Sequence, residues 1–231
     1  MASAFKCSCI VLPESETDSG DEHPQPLARA KKPSKRAAVA QGQEVSVKGF
    51  HHVEFYCSDA REAYQSFSSA LGMHLVAKSN RNTSNHTYRS YAIKSNEVTF
   101  VFTSRSPQTR KMSPTDETMR KMPHPGFSPD ETRRFVATHG LAVKALGILV
   151  DDVQVAFEKS VARGEIPAFK PTVLVDEKTS GKVSIAEVRL CGDTIIRYVT
   201  NHDFQGPFLP NYETVCLPRL SSSRKILGAH R

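Results

Sequence analysis

The 231-residue sequence contains no tryptophan, only six tyrosines and no long hydrophobic run. Since no segment approaches about eighteen uncharged apolar residues, the sequence excludes a membrane-spanning helix. The scarcity of large aromatic side chains argues against a surface on which nucleic acid bases could stack. We therefore expect neither a membrane nor a nucleic acid as partner.

Cysteine is also too scarce, and too irregularly spaced, for a disulfide scaffold or a Cys-x-x-Cys metal site. The chain has five cysteines and no such pair, a pattern typical of reduced intracellular thiols. No glycine-rich phosphate loop and no HExxH or GxSxG motif occurs, so these nucleotide-binding and hydrolytic site classes have no support. Cytoplasmic localisation is the default prediction, with the plastid as the alternative.

Both ends of the chain read as polar tails. Residues 1–46 run from an acidic segment through prolines to the basic cluster at 31–36, and the last stretch, 219–231, is again basic. Residues 1–46 hold too little apolar surface to offset the entropy lost on ordering, so we predict that they are disordered. The net charge of +7 then reflects largely solvated tails rather than an anion-binding face.

Between the tails, a strand, a helix and three strands occur in that order twice. Alternating residues predict the strands, and apolar residues at three- and four-residue spacing predict the helices. Asp59 and Asp152 stand at matching positions as helix caps, and Gly72 and Gly164 as helix ends. The predicted modules cover about 47–104 and 143–201.

A polar, proline-containing loop at 105–127 and a short helix ending near His139 connect the two modules. Because one module cannot close its own sheet, two are expected to pair into an open barrel with the helices outside. The predicted fold class is therefore α+β, with two βαβββ modules forming one domain over about 47–215.

Two such units resemble the vicinal oxygen chelate superfamily, and the likeness is more specific in several segments. They resemble the amino-terminal half of the plant-type 4-hydroxyphenylpyruvate dioxygenases: FHHVEFYC (50–57), LGMHLVAKS (71–79), TFVFT (99–103), HGLAV (139–143), IAEVRLCGD (185–193), RYV (197–199) and FLPNYE (208–213). Tyr56 stands where that family usually has tryptophan.

The resemblance implies a reaction for the family. Its Fe(II) enzyme converts 4-hydroxyphenylpyruvate and O₂ to homogentisate and CO₂, in tyrosine catabolism and toward plastoquinone and tocopherol. Its iron is held by two histidines and one carboxylate, which belong to the carboxy-terminal half. After Glu213 the resemblance ends, and residues 216–231 read as an altered, truncated terminus.

The module repeat shows which residues of this chain match the catalytic ligand positions. They are His52, Ala145 and Arg197, of which only His52 can bind iron. We therefore predict a degenerate site with no metal, no cofactor and no catalytic residue in this chain. His52, Glu54 and Arg197 could instead form an internal polar cluster.

The alternation of side chains along a strand predicts which face His51, His52, Glu187 and Arg189 occupy. His51 and His52 should point to opposite faces of their strand, so they should not form a metal pair. Glu187 and Arg189 share a strand face and are expected to form surface pairs.

Three functions compete. The chain is a dioxygenase by lineage but inactive alone; or it is an interaction module, forming a homo-oligomer or pairing with the full-length family enzyme; or it is a glyoxalase-like metalloenzyme. The third requires a ligand that Ala145 cannot supply, such as His124 from the connecting loop.

Overall fold

A computed structural model describes residues 44–107 and 122–215. The predictions for the first 43 residues, for the tail 216–231 and for most of the loop 105–127 therefore lie wholly or mainly outside the described residues. No helix in the two described ranges reaches the length and hydrophobicity that crossing a bilayer requires.

The first module contains one helix and four strands: β1 (Val47–Tyr56), α1 (Ala60–Leu71), β2 (His74–Ser79), β3 (Tyr88–Ser95) and β4 (Val98–Arg105). A single 3₁₀ turn, Arg81–Thr83, follows β2. The Asp59 carboxylate accepts hydrogen bonds from the backbone N–H groups of Arg61 and Glu62, at 2.8 and 3.2 Å, and so begins α1. Gly72 ends the helix with a φ of 65°, as predicted.

The second module repeats that order after a connecting helix, α2 (Pro129–His139), whose first turn is capped by Ser128. Its elements are β5 (Ala142–Val150), α3 (Val153–Ala162), β6 (Pro167–Val175), β7 (Lys182–Cys191) and β8 (Thr194–Asn201). Asp152 caps α3 as Asp59 caps α1. A two-residue strand, β9 (Glu213–Thr214), which the sequence does not predict, pairs with β2.

All nine described strands form one open mixed sheet in the order β6-β7-β8-β5-β1-β4-β3-β2-β9. Each module has the same internal order, with its first and last strands parallel, and the antiparallel pair β1–β5 joins the modules. The structure confirms the predicted α+β class, with two βαβββ modules in an open barrel.

The sheet curves around a shared interior. Ala77 and Ala92 of the first module pack in one buried cluster with Val183 and Ile185 of the second, although their strands lie toward opposite ends of the sheet order. Outside, α1 covers β3 and β4 of its own module, and α3 covers β6, β7 and β8 of the other. Both modules therefore contribute side chains to this interior.

Candidate functional site

One end of this interior is polar, and Arg197 lies at its centre. Its side chain extends inward from β8 and is only 4% exposed. Nη1 lies 2.8 Å from Oε2 of Glu54, and Nε donates a 2.6 Å hydrogen bond to Oε1 of Glu187. Nη1 also lies 3.1 Å from Nε2 of His52. The guanidinium thus joins a carboxylate from each module.

Strand register produces this arrangement. His52 of β1 is opposite Gly147 of β5, and Gly147 is in turn opposite Arg197 of β8. A Cβ atom at position 147 would overlap Nδ1 of His52. Only glycine therefore allows the imidazole to cross β5 and reach the guanidinium.

A chain of hydroxyl groups extends from Glu54 toward the far side of the barrel. Thr103 donates a 2.6 Å hydrogen bond to Oε1 of Glu54, and its hydroxyl lies 2.8 Å from that of Ser90. Tyr212 donates to Ser90 at 2.7 Å. Burial raises the pKa of Tyr212, so this phenol stays protonated and acts as a donor.

His124 enters the interior from the segment that precedes α2. Its Nε2 lies 2.7 Å from Oε1 of Glu187, and its backbone N–H donates to the hydroxyl of Tyr88 at 2.8 Å. Burial by itself raises the pKa of Glu187, but the nearby His124 and Arg197 outweigh it and lower the pKa to about 2. Glu187 is therefore ionised at neutral pH. Burial by itself lowers the pKa of Arg197, but the carboxylates of Glu54 and Glu187 outweigh this effect and raise it.

His51 and His52 contact each other, which corrects the prediction that they point to opposite faces. A β-bulge interrupts the pairing of β1 with β5 between Phe50 and His52, and alternation fails at a bulge. The two Nδ1 atoms lie 2.8 Å apart, and both rings pack on Phe208. Because Arg197 can only donate, Nε2 of His52 must accept its hydrogen bond. The ring proton of His52 is therefore on Nδ1, which donates it to Nδ1 of His51.

Burial lowers the pKa values of both imidazoles, and the nearby positive charge of Arg197 adds to the effect. The pKa of His52 falls well below its usual value, and that of His51 falls to about 4. Both rings are therefore neutral at pH 7. This protonation state suits the hydrogen bonds in which they take part.

Glu187 corrects a second prediction. The sequence assigned Glu187 and Arg189 to surface pairs, yet Glu187 is 5% exposed and pairs with Arg197. Cys57 is buried, and burial raises the pKa of its thiol to about 12, so it is not a nucleophile at neutral pH. Of the predicted positions, the structure therefore brings together His52, Glu54 and Arg197, and it adds Glu187 and His124.

The residues present do not fit the family's iron. Ala145 provides no donor atom, and it is fully buried opposite Glu54. Imidazole and carboxylate donors do surround Arg197, but its guanidinium lies among them and pairs with both carboxylates. Across the described residues, no three His, Cys, Asp or Glu side chains form a group with metal-binding geometry. The arrangement instead binds the guanidinium cation of Arg197.

Comparisons with known proteins give one consistent result. The chain is 43% identical over 179 residues to 4-hydroxyphenylpyruvate dioxygenase of Daucus carota, covering 77% of this chain and 38% of that protein. It is 38% identical over 181 residues to that of Arabidopsis thaliana, covering 76% of this chain and 39% of that protein. The chain thus spans less than half the length of these curated relatives. No family model matches it.

A solved structure supports the fold. A mutant of 4-hydroxymandelate synthase from Streptomyces coelicolor superposes with a TM-score of 0.53 at 24% identity, covering 72% of this chain and 41% of that one. This likeness supports the vicinal oxygen chelate fold for the chain. Over about three quarters of its length, therefore, this chain resembles the plant 4-hydroxyphenylpyruvate dioxygenases as a partial, amino-terminal-half relative with the vicinal oxygen chelate fold.

Proposed function

We propose that this chain is a non-catalytic module of the 4-hydroxyphenylpyruvate dioxygenase family and acts by pairing with another polypeptide. The observation that carries the non-catalytic part of this proposal is the guanidinium of Arg197, bound between Glu54 and Glu187 and next to His52. A divalent ion could use these carboxylates only by displacing the guanidinium, which would otherwise repel it. At about 4 Å and an effective dielectric constant of about 20, even two unit charges repel by about 4 kcal/mol.

Several finer properties are proposed through the family rather than through this chain's own residues. Fe(II) binding, homogentisate formation and tyrosine catabolism are properties that the resemblance to the family implies. We propose that this chain takes part in that chemistry only through a partner polypeptide that carries the iron. A full-length family enzyme is the partner that would carry the iron. A second copy of the chain is the alternative partner and would form a homo-oligomer without iron. A cytoplasmic location remains part of the proposal.

The test of catalysis is metal content combined with oxygen uptake. The purified full chain is incubated with Fe(II), freed of excess metal and analysed for iron, and oxygen consumption is then followed with 4-hydroxyphenylpyruvate. We expect well under 0.1 iron per chain and no uptake above that of buffer, and the full-length carrot enzyme serves as the positive control. Stoichiometric iron together with substrate-dependent oxygen uptake would refute the proposal.

The test of pairing is separate. A tagged chain is co-expressed with the full-length enzyme, and the mixture is separated by size-exclusion chromatography with light scattering. Co-elution with the enzyme, or a dimer of the chain alone, supports an interaction module. A monomer that elutes identically with and without the enzyme would remove this role while leaving the catalytic result unaffected.

One observation favours a second candidate, a glyoxalase-like metalloenzyme. His124 does enter the interior from the connecting segment, and its buried Nδ1 has no hydrogen-bond partner within the described part of the chain. The same metal analysis, repeated with Zn²⁺ and Ni²⁺, discriminates between the two. Stoichiometric binding of either ion by the unaltered chain would favour the metalloenzyme.

A further inference from the structure

A second polar site lies on the helix-covered face of the first module, away from the Arg197 cluster. It is a surface pocket of about 320 Å³ at the amino-terminal end of α1, and Arg61, Arg81, Arg89, Asn80 and Tyr91 are among its lining residues. The pocket is independent of the proposed function, since none of the interior residues that carry that proposal lines it.

Two residue spacings bring Arg61 and Arg89 to this pocket. Arg61 and Tyr64 are three residues apart on α1, so they share a helix face. Arg89 and Tyr91 are two residues apart on β3, so they share a strand face. The rings of Tyr64 and Tyr91 stack with their centroids 4.6 Å apart. That contact holds the first turn of α1 over β3, and Arg61 and Arg89 both line the pocket.

The pocket is rich in basic side chains. Of the described residues that line it, three are arginines and none is acidic. Within the described residues, neither Arg61 nor Arg89 forms an ion pair. Two acids lie at the start of α1: Asp59, which accepts from two backbone N–H groups of the helix, and Glu62 in its first turn; neither lines the pocket. Arg89 is nevertheless partly buried, whereas the buried Arg197 has two carboxylates.

We propose that this pocket binds a phosphate-type oxyanion, held by the guanidinium groups of Arg61 and Arg89. The planar fork of arginine donates two parallel hydrogen bonds to a phosphate, and such bonds are stronger than those between neutral groups. The volume exceeds that of inorganic phosphate and leaves room for a small organic group beside Tyr91, which is one of the lining residues. The matching ligand class is therefore a small phosphate monoester.

The experiment is a ¹H–¹⁵N NMR titration of the full chain with sodium phosphate, with ionic strength held constant by sodium chloride. We expect saturable shifts at the amides of Arg89, Tyr91 and the first turn of α1. Arg89→Gln and Arg61→Gln should each weaken binding about tenfold or more, as expected for a lost hydrogen bond to a charged group. Arg89→Lys should retain part of the affinity. Arg163→Gln, an exposed arginine elsewhere, is the matched control and should bind like the original chain.

A parallel titration with phenyl phosphate separates the two sources of the ligand group. Binding tighter than that of phosphate supports an ester with its organic part against Tyr91, and equal binding supports free phosphate as the ligand. Two results would overturn the proposal. One is an unchanged affinity in folded Arg89→Gln. The other is a linear response to phosphate that does not saturate and is spread over the whole basic surface.

Discussion

Replacing Arg197 with methionine tests the charge network most directly, because the substitution removes the cation and keeps most of the side-chain volume. At 2.6–2.8 Å and an effective dielectric constant of about 20, each carboxylate contact amounts to about 6 kcal/mol of attraction. Desolvation of the charges offsets much of this. Removing one partner of a buried ion pair nevertheless costs ~3–5 kcal/mol, since the remaining charges stay buried without compensation.

The assay is urea unfolding at pH 7, followed by circular dichroism. We expect Arg197→Met to lower the free energy of unfolding by ~3–5 kcal/mol, which for a chain of this size is a fall in Tm on the order of 10 °C. Arg133→Met is the control. That arginine lies 3.9 Å from Asp130 on an exposed face of α2, and its removal should change stability by less than ~0.5 kcal/mol.

Two further measurements separate charge from packing. Adding Glu54→Gln and Glu187→Gln to Arg197→Met removes the buried charges together, so most of the lost stability should return. In the single variant, Arg197 no longer opposes the effect of burial, which raises the pKa of Glu187. Protonation of Glu187 on acidification then removes an unpaired buried charge. The loss of unfolding free energy relative to the original chain should therefore become smaller between pH 7 and pH 4. An unchanged stability at pH 7, or a deficit constant over that range, would refute an interior built on guanidinium–carboxylate pairs.

Three shorter predictions use the same urea assay. The folded-state pKa of His51 is lowered from 6.5 to about 4. The neutral ring therefore contributes fully to the free energy of unfolding above pH 6.5, and this contribution is lost as the pH falls toward 4. His51→Phe should remove that part of the acid sensitivity of the protein's stability. Gly147→Ala should cost ~1–3 kcal/mol by overpacking and should cost much less in a His52→Ala background, whereas additive costs would contradict the contact. Phe208→Ala should cost ~3–5 kcal/mol, but Phe50→Ala, at a ring that is 77% exposed, should change stability little.

Much of the fold follows from local sequence patterns. The caps Asp59 and Asp152 and the repeated order of elements predicted both modules, and the structure has the same order of elements. Strand β9 was missed because two residues have no periodicity, and its pairing with β2 depends on how the chain returns after β8.

The site was harder to predict because β-bulges change which residues are opposite each other. Counting back from the turn that pairs Cys191 with Thr194 would place Glu187 opposite Tyr198. A bulge between Arg189 and Cys191 shifts the pairing by one residue, so Glu187 is opposite Arg197. The bulge at His51 had the same effect on β1. Such register changes depend on the packing of the whole sheet, and alternation within one strand does not report them.

The position of Arg197 helps to explain how the two modules keep one fixed arrangement. Glu54 belongs to the first module, and Glu187 and Arg197 belong to the second, so the guanidinium joins the modules across the β1–β5 pair. Slipping that pair by one residue would reverse which face of β1 holds Glu54 and would leave buried charges unpaired, at a cost of several kcal/mol. A metal ion joins donors from different strands in the same way, but it can dissociate. Arg197 joins Glu54 and Glu187 in this way, and as a side chain of β8 it cannot dissociate from the protein.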